Sequence, residues 1–148
     1  MNLKEFNNLV DLFFNQVEKE NSHTPFLEWL NPKNKKKFTW GETSANIYKL
    51  AKILKKNILD GDRCLLVSEN RPEWLITDLA IMLANGITVP AYTTYTEKDY
   101  KYLIEDCQPS VIIVSNDEMH DKLKNIIQEN SYIKKMAIPA GIEPATAP

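Results

Sequence analysis

Glycine, cysteine, histidine and arginine are all scarce in this chain. The four glycines, at positions 41, 61, 86 and 141 of 148 residues, stand singly. Neither G-x-G-x-x-G nor G-x-x-x-x-G-K-[ST] occurs, so no phosphate-cradling loop is spelled out. Two cysteines, Cys64 and Cys107, give no disulfide framework and fit a reducing compartment, so a cytoplasmic location is expected. Neither has a histidine at useful local spacing, and His23 has no neighbour for triad chemistry. Only two arginines stand against sixteen lysines, and the net charge of −2 provides no whole-chain footprint for nucleic acid. The longest wholly apolar run, Leu79 to Ala84, is far short of the roughly 20 residues of a transmembrane helix. Lys4, Glu5 and Asp11 interrupt any signal-peptide pattern at the N-terminus.

What remains is an ordinary globular composition, 43% hydrophobic and 26% charged, long enough for one domain with its own core. Leu3, Phe6, Val10, Phe13, Phe14 and Val17 recur at three- and four-residue steps and predict an amphipathic helix over about 2–20. Two short strands, Phe26–Leu30 and Phe38–Trp40, are joined by the polar tip NPKNKKK as a hairpin. Thr39 and Glu42 have the spacing of a capping box, and Ile47, Leu50, Ala51, Leu54 and Ile58 form the buried stripe of the helix it opens. Strands and helices then alternate. The strands are RCLLVS (63–68), ITVPAY (87–92), VIIV (111–114) and YIKKMAI (132–138). Asn70 is expected to cap the helix containing Pro72 and Glu73, Thr96 the next and Ser115 the last. Gly86 suits the left-handed position where the first of these helices stops, and Pro90 argues for an edge strand or a strand end. This pattern predicts an α/β fold: a mainly parallel sheet with helices on both faces, preceded by an amphipathic helix and a short β-hairpin.

The chemistry-bearing residues are few. Arg71 at a helix N-terminus has the geometry to hold an anion, although a capped helix start is the commoner reading of that stretch. Asp117, Glu118, His120 and Asp121 resemble metal ligands, but acidic residues in a first helical turn ordinarily complement the helix dipole, and no metal site is assigned. VPAYTTYT places Tyr92, Thr93 and Thr94 just beyond a strand's carboxyl end, where a doubly wound sheet holds its ligand. A plain hydroxyl-rich turn reads equally well, and no catalytic or cofactor-binding residue emerges.

The run GDRCLLVSENRPEWLITDLAIMLANGITVPAYTTYTEKDYKYLIEDCQPSVIIVS, with FTWGETSANIYKLAKILKK before it, resembles the N-terminal region of AMP-forming acyl-CoA synthetases, the adenylate-forming family. The resemblance covers about residues 38–138 and rests on many small matches kept in order; within the family, VPAYTTYT is most similar to long-chain fatty acid–CoA ligases. It implies a partial N-terminal subdomain of the adenylate-forming fold over 1–138, and a parent enzyme using ATP, CoA and Mg2+ on a fatty acid. Tyr92, Thr93 and Thr94 would border the acyl or coenzyme crevice. Charge and the short apolar runs give no nucleic-acid partner and no transmembrane segment, and the resemblance leaves room for a homodimer and for peripheral membrane contact. The family's phosphate loop, hinge and C-terminal lysine lie beyond the matched region, so this chain alone is expected to be inactive. The alternatives are a non-catalytic α/β binding or regulatory module and one subunit of a split ligase. PAGIEPATAP (139–148) holds three of the eight prolines and no lysine or asparagine, and is expected to be an atypical tail foreign to the family.

Overall fold

A computed structural model describes residues 6–30 and 35–137. The expected tail at 139–148, the hairpin tip at 31–34 and Leu3 lie outside the described residues. The element order is α1 (Leu9–Lys19), β1 (Pro25–Trp29), β2 (Lys36–Thr39), α2 (Trp40–Leu54), β3 (Arg63–Val67), α3 (Pro72–Leu83), β4 (Ile87–Ala91), α4 (Glu97–Cys107), β5 (Val111–Val114), α5 (Asp117–Gln128) and β6 (Lys135–Ala137). Helix α1 starts later than its apolar periodicity suggests, because the Asn8 side chain accepts from the Asp11 amide at 2.8 Å and fixes the cap there. Strands β1 and β2 pair antiparallel. The Thr39–Glu42 capping box forms as expected. The neighbouring amides of Trp40 and Gly41 donate to Thr24 and Ser22 carbonyls, so the loop before β1 is docked on the start of α2.

The remaining strands form one parallel sheet in the order β4-β3-β5-β6. From β3 the chain steps to one side, then crosses back over β3 to reach β5 and continues to β6. Crossovers are right-handed, so reversing direction also switches face. Helix α3 therefore packs with α1 and α2 over Cys64, Leu66, Val111 and Ile113. Helices α4 and α5 pack over Leu65, Val67, Ile112 and Val114 on the other face. The strict alternation along β3 and β5 is the pleat of a strand covered on both sides. Pro90 sits in the edge strand β4, where a missing N–H is tolerated.

Three local expectations differ from the structure. Arg71, not Asn70, occupies the cap of α3 and makes no side-chain cap bond, because Pro72 is the first helical residue. Asn116, not Ser115, caps α5, accepting from the Met119 amide at 2.9 Å. At the end of α3 the left-handed residue is Asn85 (φ 64°). Gly86 is needed for a different reason: a Cβ there would lie 2.9 Å from Ile58 Cδ1 and 3.0 Å from Ile81 Cγ2. The Ile58 tip can turn aside, whereas Ile81 Cγ2 sits beside its own helix backbone, so Gly86→Ala should cost about 1 kcal/mol by overpacking this junction, read as a lowered urea midpoint with an unchanged slope. No loss of stability would refute the close-approach account.

Burial pushes the Cys64 thiol up to about 11, with the Asp62 charge adding to the rise. A thiol reagent at pH 8 is expected to modify Cys64 only as fast as the chain unfolds; rapid labelling under native conditions would contradict that packing.

Candidate functional crevice

The carboxyl ends of β3 and β4 open onto a crevice of about 280 Å³ lined by Ser68, Asn70, Trp74, Pro90, Ala91 and Tyr92. Trp74 is half-buried and packs against the core beneath α3, whereas Tyr92 is 71% exposed. The crevice thus has aromatic and apolar walls with a serine and a carboxamide at hand. Enclosed small-molecule pockets run to about 300–1,000 Å³, so this space is at the lower end of that range. Tyr92, named from sequence, lines it. Thr93 and Thr94, named with it, form the turn beyond and do not. Ser68 and Trp74 had no sequence signal tying them to Tyr92, because only the β3–β4 pairing brings their segments together.

The turn carrying Tyr92 is tightly held. The Tyr92 carbonyl accepts from the Tyr100 hydroxyl at 2.6 Å and from the Tyr95 amide at 3.3 Å. The Tyr92, Tyr95 and Tyr100 rings meet edge-on in succession, with centroids 5.5 and 5.8 Å apart. Burial, and then the proximity of Tyr95, push the Tyr100 hydroxyl up to about 12, so it remains a donor at neutral pH. Across the sheet's carboxyl edge, Asn116 Nδ2 donates to Glu69 Oε1 at 3.3 Å and ties together the segments after β5 and β3. Beside it, the Ser115 hydroxyl is buried with no hydrogen-bond partner.

Arg71 does not present an empty anion seat. Its Nε and Nη2 donate to the Glu73 carboxylate at 2.9 and 2.8 Å, and its guanidinium lies 5.0 Å from the Trp29 ring centroid. Lys36 Nζ reaches the same carboxylate at 3.0 Å. Burial alone would raise the Glu73 carboxyl, but bonds from Arg71, the backbone and Lys36 outweigh it and hold it below its usual 4.5. The chain thus supplies its own carboxylate to both cations. Among the described residues, no group of three or more His, Cys, Asp or Glu is placed to hold a metal ion. No helix among them is long and apolar enough to cross a membrane. A second, more open groove of about 380 Å³ lies among Leu12, Phe13, Phe26, Trp40, Leu75 and Met82, almost wholly apolar, and shares no residue with the crevice.

The profile of the AMP-binding enzyme family matches residues 13–145. Among curated relatives, a long-chain-fatty-acid–CoA ligase of Bacillus subtilis is 37% identical over 79 residues, covering 53% of this chain and 14% of the relative. The long-chain-fatty-acid–CoA ligase ACSBG2 of Mus musculus is 30% identical over 114 residues, 76% of this chain and 17% of its own length. The chain therefore spans less than a fifth of either protein. Among solved structures, the anthranilate CoA ligase AuaEII in complex with anthranoyl-AMP superposes with a TM-score of 0.79 at 19% identity, over 99% of this chain and 30% of that one. ATP-bound MatB from Rhodopseudomonas palustris gives 0.70 at 22% identity, over 87% and 25%. These likenesses confirm the doubly covered parallel sheet preceded by helix and hairpin.

Replacing Glu73 by Gln should cost about 2 kcal/mol at pH 7, because two cations lose their buried counter-charge. A lowered carboxyl value means the ion cluster stabilises the fold above 4.5 and fades as pH falls through the folded value. The gap between wild type and Glu73→Gln, measured by urea unfolding, should therefore close on acidification below that range. A gap independent of pH would show that the charge is not what holds the cluster.

Proposed function

The chain belongs to the AMP-binding enzyme family, and on that premise we propose that it forms the N-terminal part of the adenylation domain of a long-chain fatty acid–CoA ligase. In the reaction assigned to the parent, a fatty acid carboxylate attacks the α-phosphorus of ATP and releases pyrophosphate, leaving an acyl-adenylate. The thiol of CoA then attacks the acyl carbon and expels AMP. A carboxylate is a poor electrophile, and the mixed anhydride with AMP supplies the leaving group it lacks. Mg2+ would neutralise phosphate charge in the first step.

The observation that carries this reading is the crevice itself. It lies at the carboxyl ends of adjoining parallel strands, on a chain matched to this family over most of its length. Two of its walls are the aromatic residues Trp74 and Tyr92, and Ser68 and Asn70 add polar groups. That lining suits an alkyl or amide-containing arm better than a triphosphate. The described residues of this chain offer neither ATP phosphates nor Mg2+ a seat: the sequence spells no glycine-rich loop, no group of three or more His, Cys, Asp or Glu among the described residues is placed to hold a metal, and the Arg71 guanidinium is engaged by Glu73. The part assigned to them is to shape one wall of the acyl or coenzyme passage. Long-chain preference is supported by the two ligases named above and by VPAYTTYT.

Two measurements test this. Purified protein given ATP, Mg2+ and palmitate should show no carboxylate-dependent ATP–pyrophosphate exchange, and measurable exchange would overturn the assignment of catalysis to other parts of the parent. Dodecanoyl-CoA titrated into the labelled chain should shift amide resonances at residues 68–74 and 90–92. Tyr92→Ala should weaken that binding about fivefold, the size expected for one aromatic contact. Shifts confined to other surfaces would sink the crevice assignment.

A further inference from the structure

The geometry points to Lys122, on α5, as a positioning residue that sets the shape of the Tyr92 wall. The inference rests on the crevice reading above and adds a residue that does not line it.

The turn after β4 has a backbone problem. Its carbonyls at Tyr92, Thr93 and Tyr95 leave the sheet without strand partners, and two side chains collect all three. Tyr100 takes the Tyr92 carbonyl at 2.6 Å; Lys122 Nζ donates to the Tyr95 carbonyl at 2.5 Å and the Thr93 carbonyl at 3.4 Å. The ammonium also lies 5.2 Å from the centroid of the Tyr100 ring. The two donors are therefore coupled: Lys122 sits against the ring whose hydroxyl fixes Tyr92. At the far end of the turn the Asp99 carboxylate accepts from the Thr96 amide at 2.9 Å, but among the described residues no cation other than Lys122 donates to the turn's carbonyls.

Lys122 is half-buried, as is Thr93, whereas Tyr92 and Thr94 face outward. A charge-assisted bond to a carbonyl is stronger than a neutral one, and here it is spent on a turn outside the core rather than on a core contact. With three carbonyls drawn inward, the Tyr92 ring is left braced edge-on against Tyr95 at the mouth of the crevice. Pre-ordering such a wall removes an ordering cost that a ligand would otherwise meet on binding.

Lys122→Met keeps most of the apolar stem and removes the donor; Lys122→Arg restores a cation. Hydrogen exchange of the 148-residue chain is expected to rise about tenfold at the amides of residues 93–96 in Lys122→Met, with β5 amides within about twofold of wild type. Lys122→Arg should recover most of that protection. Unchanged exchange at 93–96, or a rise in step with β5, would overturn the positioning role. Dodecanoyl-CoA affinity should fall about fivefold in Lys122→Met and largely return in Lys122→Arg, and equal affinities would break the link from Lys122 to the crevice. If wild type fails to bind this probe, the crevice reading falls, and the exchange measurement alone decides whether Lys122 orders the turn.

Discussion

Strand β3 has neither a free edge nor an open face. It is hydrogen-bonded to β4 on one side and β5 on the other, and Cys64 through Val67 are at most 1% exposed. A backbone placed so deeply must find partners for its amides and carbonyls within the protein. Its neighbours and its helices are therefore required together. The rest of the arrangement follows from how the chain returns to it. The first crossover lays α3 on one face, the reversal lays α4 and α5 on the other, and the crevice lies where β3 and β4 end side by side.

The hairpin is a different kind of element. Two short strands are marginal alone, and β1–β2 shares no strand pairing with the main sheet. It is held by side chains: Phe26 stacks on Trp40 with centroids 3.8 Å apart, and Lys36 reaches across to Glu73 at the start of α3. Trp29 completes the join by lying against Arg71. The lysine-rich segment that the sequence offers as a polar hairpin tip thus contributes, through Lys36, one partly buried counter-charge to the α/β body.

Much of the fold was legible in the sequence, and the failures have a common cause. Strands of branched residues, the Thr39–Glu42 capping box, the Thr96 cap and the helical stripes are local patterns, and local patterns survive in a sequence. Where two adjacent residues compete for one role, the sequence does not rank them. Asn85 took the left-handed position and left Gly86 to admit Ile58 and Ile81; Asn116 took the cap from Ser115. The crevice was half legible. Tyr92 follows a strand and can be placed by rule. Its partners Ser68 and Trp74 come from another βα unit, and Lys122 lies 27 residues beyond the Tyr95 carbonyl it serves. No periodicity carries that information.

Pro90 sits in the margin strand of the sheet and has no N–H to lend an arriving strand. Among the described residues the opposite margin, β6, has no proline in Lys135–Ala137. Among the described residues the two margins of the sheet therefore differ in kind. A strand arriving at β4 finds one backbone donor missing, at Pro90, two residues before the Tyr92 that lines the crevice, so the margin beside the crevice mouth is the one less able to extend its ladder.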